Sequence, residues 1–250
     1  MFKKLVARIS ELFAPGMDIS YSRVNTYEFC PVKYRTVYCD KKYVPATPAI
    51  SLGQTIHKTL EQYHQRKETT LDQLIESYDV CWVNEGFTSP QQTLEFYEKG
   101  RKMLERYFAS SFASVVEIVS LEKHFVCKLG RHKLMGIIDR IDKYPDGTYA
   151  VIDYKTHSEL WDQAKVDADL QLSVYAIAFQ AVFGFMPREL VYYFLAHDVK
   201  LFTKRTPEQL AAAKERVIGV ARKIIHKEFA PNTANCHRCD FKKSCQFSIV

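Results

Sequence analysis

The stretch that most restricts the fold is GIIDRIDKYPDGTYAVIDYKT, residues 136–156. Two apolar runs flank Pro145-Asp146-Gly147, a turn in which proline presets φ and glycine supplies a left-handed backbone. A three-residue loop there pairs Tyr144 with Thr148. The same register then sets Asp139 opposite Asp153, with Cβ atoms ~5 Å apart. Lys155, two residues further on, shares their face. A half-buried strand ordinarily carries apolar side chains at such positions. Two carboxylates this close repel one another unless a proton or a cation lies between them. A hard divalent cation with oxygen ligands suits the pair, and magnesium keeps waters for chemistry. Lys155 could orient such a water or stabilise charge on an attacked phosphate. The competing reading of the three residues is a solvent-facing salt-bridge ladder.

The cysteines carry the second signal. Cys236, Cys239 and Cys245 form C-x2-C-x5-C within NCHRCDFKKSCQ. Three cysteines so close together, in a chain without an export signal, favour metal over disulfides. Three sulfurs are too few for a closed tetrahedral site or a cubane, so a fourth ligand is needed. Cys30, followed by Pro31, is the candidate, and His237 could replace a cysteine in a zinc site. Cys39, Cys81 and Cys127 stand singly among apolar or aromatic neighbours, as inert thiols do. Spacing alone does not choose the metal.

With 250 residues, 47% of them hydrophobic, the chain can fill one large domain or one domain with an insertion. No apolar run approaches the ~20 residues of a membrane span. The first sixteen residues lack the continuous apolar core of a secretory signal, so the chain is expected to be cytoplasmic. Phe2, Leu5, Val6, Ile9, Leu12 and Phe13 recur at helical spacing and predict an amphipathic helix within residues 1–19. The net charge of +6 is uneven: residues 1–43 carry eight Lys/Arg against four Asp/Glu, and residues 214–250 eight against three. Basic ends around an acidic centre suit a polyanion track leading to a cation site, or simply an unevenly charged surface. Helical periodicity covers 49–67, 70–82, 90–112, 162–183 and 207–228, with a capped helix entering Cys30. Residues 115–156 read as three strands turning at Lys128–Arg131 and Pro145–Gly147, and 189–196 as another. The pattern is α/β with an antiparallel hairpin at its centre.

Taken in order, Gly136-x-x-Asp139, Asp153-Tyr-Lys155-Thr156 and Gln171-x-x-x-Tyr175 resemble the PD-(D/E)XK nuclease superfamily. More narrowly they are similar to RecB-like nucleases, whose upstream G-x-x-x-H pattern is matched by Gly53-Gln-Thr-Ile-His57. Cys30-Pro31 with C-x2-C-x5-C resembles the iron–sulfur subgroup, the AddB-type helicase-nucleases and the CRISPR-associated adaptation exonuclease. The resemblance spans residues 20–247. It departs at 68–113, a helical insertion to which it gives no role. It implies a restriction-endonuclease-like core within a single nuclease domain, with a central mixed sheet and a catalytic hairpin flanked by helices. His57, Asp139 and Asp153 would bind Mg²⁺ or Mn²⁺, with the Tyr154 carbonyl as a further ligand, and Lys155 would be the catalytic lysine. Gln171 and Tyr175, one turn apart on a helix, would reach the site or the DNA backbone. Cys30, Cys236, Cys239 and Cys245 would hold a 4Fe-4S cluster, with zinc as the alternative, clasping 20–35 to 230–247. The implied activity is a metal-dependent exonuclease on single-stranded DNA ends, in DNA repair, recombination or mobile-element and CRISPR DNA processing. The alternative is a cluster-stabilised DNA-binding subunit that works only within a helicase or integrase assembly.

Overall fold

The computed structural model describes residues 16–111 and 116–250, so the expected N-terminal helix lies almost wholly outside the described residues. A short strand β1 (Asp18–Ile19) leads into helix α1 (Tyr21–Phe29), whose N-cap Ser20 accepts from the Arg23 amide. After α2 (Pro31–Tyr34) and a π-helical turn, three longer helices follow: α3 (Pro48–Gln65), α4 (Leu71–Cys81) and α5 (Pro90–Ser111). Thr47 caps α3 ahead of Pro48, and Thr70 with Gln73 forms a reciprocal capping box on α4. Strands β2 (Glu117–Leu129), β3 (His132–Lys143) and β4 (Tyr149–Lys155) come next. The chain then runs through α6 (Gln163–Ala168), α7 (Leu170–Phe183), β5 (Glu189–Phe194), β6 (Val199–Thr203) and α8 (Pro207–Ile225).

The six strands form one mixed sheet in the order β1-β3-β4-β5-β6, with β2 also paired to β3. The central hairpin has the expected register, from Lys143–Tyr149 to Arg140–Ile152. Its turn closes as expected too: Tyr144 and Thr148 pair, and Gly147 sits at φ 83°. Between β4 and β5 the chain makes a crossover through α6 and α7 and returns parallel. One core lies between the sheet and α1, α7 and α8, with Val151, Phe179, Tyr192 and Val217 at its centre. The second lies on the other face, where α3, α4 and α5 cover Tyr154, Tyr193 and Leu195. Helices α4 and α5, within the stretch expected as an insertion, are therefore no appendage; with α3 they cover the back of β4 and β5. No helix of the described residues is long and apolar enough to cross a membrane.

The helix expected over 162–183 is two helices. Asp169 ends α6 and caps α7, its carboxylate accepting from the Gln171 and Leu172 amides. At the break the carbonyls of Val166 and Asp169 accept from the buried Arg205 guanidinium, besides the Asp169 amide and the Ser173 hydroxyl respectively. Strands β1 and β6 have no counterpart in the sequence pattern; each pairs along one edge only, too short to show a period.

Behind the hairpin, buried Arg140 and Asp142 form a two-pronged ion pair at 2.6 and 2.8 Å, and Arg140 Nη1 also donates to Tyr107 Oη at 2.8 Å. Removing one member of a buried pair strands the other charge. Arg140→Ala should therefore cost about 3–5 kcal/mol in urea denaturation. Arg216→Ala, at the half-exposed Arg216–Glu28 pair, should cost at most about 1 kcal/mol. Equal losses would contradict this account of the interior.

Candidate active site

The site forms where the hairpin ladder stops. Beyond Arg140–Ile152 the two strands part, and Asp139 Oδ2 accepts the Tyr154 amide at 2.8 Å in place of a backbone carbonyl. Helix α3 lays His57 over this gap. Its Nδ1 stands 3.4 Å from Asp139 Oδ2 and 3.9 Å from Glu122 Oε1, while Nε2 faces the Tyr154 carbonyl at 3.1 Å. That carbonyl, expected as a further metal ligand, is here the partner of His57. Among the described residues, His57, Glu122 and Asp139 form the one group of three potential ligands whose donor atoms lie within 4.8 Å of one another.

Asp153, on β4, belongs to a second layer of contacts. Its Oδ1 accepts from Gln171 Nε2 at 2.8 Å, and Lys155 Nζ approaches Oδ2 to 2.8 Å. The ammonium is out of line for a hydrogen bond, so Asp153 Oδ2 is buried without one. Gln171 Oε1 accepts from Lys155 Nζ at 2.7 Å, and its amide also reaches Tyr175 Oη at 3.0 Å. Gln171 thus braces both Asp153 and Lys155, a more definite place than the helix spacing gave it. Lys155 Nζ also lies 4.5 Å from the centre of the Tyr192 ring. The break at Asp169 is what aims Gln171 here, because it starts α7 afresh two residues earlier.

The electrostatics follow from crowding. Burial, then the charge of Asp153, pushes the Asp139 carboxyl up to about 7. Burial alone would lower His57, but Asp139, Glu122 and Asp153 outweigh it and raise the imidazole to about 9. Protons and a cation would therefore compete for the same crowded donor atoms. Tyr175 is driven well above its usual range by burial beside Asp153 and Asp139, so it remains a neutral phenol.

Glu122 was missed in the sequence, although a signal existed. Gly130 and Arg131 form the two-residue turn between β2 and β3, with Gly130 at φ 58°. Counting back from that turn puts Glu122 opposite Asp139. The two are left unpaired in the ladder, and Glu122 itself adopts φ 43°, a conformation that costs a non-glycine residue ~1–3 kcal/mol. Gly136 is explained by Phe125, whose ring atom would lie 2.7 Å from an added Cβ. A groove of about 620 Å³ opens onto Glu122, Asp139, Gln171 and Tyr175.

At the far end of the molecule, Cys30, Cys236, Cys239 and Cys245 line one pocket with Phe29, Phe241 and Phe247. Around it the Lys33–Asp240 ion pair and the bonds from Asn232 and Asn235 to the Phe29 carbonyl tie the two chain ends together. All four cysteines are free, and no three sulfurs come within 4.8 Å, so a closed donor set is not present among the described residues. The expected four-cysteine cluster is in that respect not seen. His237 is exposed and does not line the pocket. Cys81 and Cys127 are buried and Cys39 exposed, away from the pocket.

Comparison with known proteins agrees with this geometry. The chain is 24% identical to the gene 69 protein of Mycobacterium phage D29, over 90% of this chain and 95% of that protein. It is 30% identical to a subunit of the ATP-dependent helicase/deoxyribonuclease of Carboxydothermus hydrogenoformans, over 62% of this chain and 17% of that much longer protein. A crystal structure of a provisionally named exonuclease from Eubacterium rectale superposes with a TM-score of 0.55 at 15% identity, covering 88% of this chain and 85% of that one; it shares the fold. The family model for the PD-(D/E)XK nuclease superfamily matches residues 18–246, and the chain belongs to that superfamily.

Proposed function

We propose that the protein is a metal-dependent deoxyribonuclease that hydrolyses phosphodiester bonds at single-stranded DNA ends. The observation that carries this reading is the convergence of His57, Glu122 and Asp139 beside Asp153 and Lys155 at one end of an open groove. The donor set, one imidazole nitrogen and carboxylate oxygens, suits Mg²⁺ or Mn²⁺, and Asp153 Oδ2, though beside the Lys155 ammonium, is a buried acceptor that receives no hydrogen bond. When bound, such a cation lowers the pKa of a water and neutralises phosphate charge. The chain's own residues do the rest. Asp139 and His57 would hold the cation through an oxygen and a ring nitrogen, their protons passing to solvent. Lys155, held by Gln171, offers its ammonium to the water or to charge growing on the phosphate. Tyr175 keeps Gln171 in place from behind. The relative from Carboxydothermus is named as part of a helicase/deoxyribonuclease, which supports a helicase partner as the alternative context.

End-labelled single-stranded and double-stranded DNA should separate these readings. The isolated chain should degrade single strands from an end in Mn²⁺ or Mg²⁺, stop in EDTA and recover on readdition of metal. Lys155→Ala and Asp153→Ala should each lower the rate by about 100-fold or more while remaining folded. Full activity in either variant would remove that residue from the chemistry. Activity only in the presence of a helicase would favour the assembly-dependent subunit.

The same proposal includes a 4Fe-4S clasp on Cys30, Cys236, Cys239 and Cys245. What supports the clasp is that all four cysteines line one largely apolar pocket, and the choice of iron over zinc rests on the family resemblance. Closing a loop of about two hundred residues stabilises by roughly 4–5 kcal/mol in the chain-entropy model. Anaerobically purified protein should be brown, with a visible band that bleaches on reduction. Cys30→Ala should lower the melting temperature far more than Cys81→Ala. Colourless protein with stoichiometric zinc would replace iron by zinc, and an unaffected Cys30→Ala variant would remove the clasp.

A further inference from the structure

The arm of β2 and β3 beyond the metal-ligand candidates carries side chains that the chemistry leaves unused. Moving outward from Glu122 and Asp139, the cross-strand partners are His124–Ile137, Val126–Met135 and Lys128–Lys133. Strand alternation puts these six on one face, while Phe125, Cys127, Leu129 and Leu134 point inward and are buried. Val126 is 64%, Met135 37% and Ile137 38% exposed. A bare apolar ladder on a strand pair invites aggregation, and proteins seldom leave one open without an occupant. Past it, two exposed lysines face each other directly, an arrangement that like-charge repulsion disfavours. Nothing among the described residues pairs with either ammonium, so a polyanion would relieve the repulsion.

Two further facts choose the occupant. His124, Val126, Met135 and Ile137 line the same groove as Glu122 and Asp139, so whatever lies on the ladder runs into the metal-ligand candidates. Arg23, at the first turn of α1, also lines the groove, its guanidinium donating to the Asp18 carbonyl and lying over the Tyr38 ring. Apolar rungs with cations beyond them and in the groove match a chain whose units each have a flat apolar part and a negative charge. In a duplex the faces of the bases are stacked away and only their edges remain. We propose that this face is a docking platform for the unpaired nucleotides of the strand being cut, with bases against Val126, Met135 and Ile137 and phosphates toward Lys128, Lys133 and Arg23. The inference rests on the nuclease reading and gives it a structural source for choosing single strands. Aliphatic rungs take any base, so the platform is indifferent to sequence.

The test compares binding of labelled oligothymidylate with an abasic chain of the same length, in EDTA so that neither is cut. The wild type should hold oligothymidylate at least about tenfold more tightly, since only the bases differ. The triple variant Val126→Thr, Met135→Thr, Ile137→Thr keeps β-propensity and should bind oligothymidylate no better than the abasic chain. Its affinity for the abasic chain should be unchanged, which also shows that it is folded. In Mn²⁺ its KM for oligothymidylate should rise by a similar factor, with kcat retained. Lys128→Gln with Lys133→Gln should weaken both ligands alike and flatten the salt dependence. Wild type that binds the two chains equally, or a triple variant that binds oligothymidylate like wild type, would overturn the platform. So would a triple variant whose only change is lost self-association, because the ladder would then be a contact between copies. A wild type that binds neither chain and cuts nothing in Mn²⁺ would overturn the nuclease reading itself.

Discussion

Three carboxylates crowd one imidazole at the end of the central hairpin, and the architecture is arranged around that repulsion. Asp139 is buried with its carboxyl raised to about 7, and Asp153 keeps an oxygen that accepts no hydrogen bond. A folded chain tolerates such a place only if the surroundings fix it. The fixing is visible in three departures from regular structure. The β3–β4 ladder is interrupted so that Asp139 can take the Tyr154 amide. Glu122 is twisted to φ 43° within a strand. The crossover helix is cut at Asp169, which restarts α7 with Gln171 in reach of Asp153 and Lys155. Regular structure on both faces of the sheet, two apolar cores and the Arg140–Asp142 pair, supplies the stability that those departures reduce.

The alternation of β3 and β4 ties the two faces together. Asp139 and Asp153 point to the metal-ligand side, while Arg140 and the Tyr154 ring point to the back, where Tyr107 bonds to both. His57 and His64 lie two turns apart on α3 and repeat the division. One meets the carboxylates and is raised to about 9; the other is buried beside Arg140 and lowered to about 3. The same residue type, seven positions apart on one helix, is pushed in opposite directions: carboxylates outweigh burial at His57, whereas burial and the Arg140 charge act together at His64.

How much of this was legible in the sequence depended on the range of each signal. The hairpin was readable in register from Lys143–Tyr149 to Arg140–Ile152, because a short turn fixes both strands, but the end of the ladder before Asp139 and Asp153 was not. His57, Lys155 and the four cysteines could be named, but only their order along the chain made them a set. Glu122 was lost because its hairpin was not carried through to register, and its irregular φ has no local signature in a glutamate. The break at Asp169 was hidden by an apolar pattern that runs on through both helices. It is braced by Arg205, more than thirty residues away, whose guanidinium donates to the Val166 and Asp169 carbonyls. The role of 68–113 was unreadable for a related reason: amphipathic helices announce a buried face without saying what they cover.

The measurement that tests the central claim most directly is calorimetry of Mn²⁺ binding in two buffers of different ionisation enthalpy, across pH 6–9. Burial and neighbouring carboxylates raise Asp139 to about 7 and His57 to about 9, so a cation held by both would compete with protons. The account predicts one site whose affinity rises with pH through this window, with about one proton or more released near pH 7, and a smaller release in Asp139→Asn, which removes that carboxyl's share. Binding that is independent of pH and buffer, or unchanged in Asp139→Asn, would contradict it.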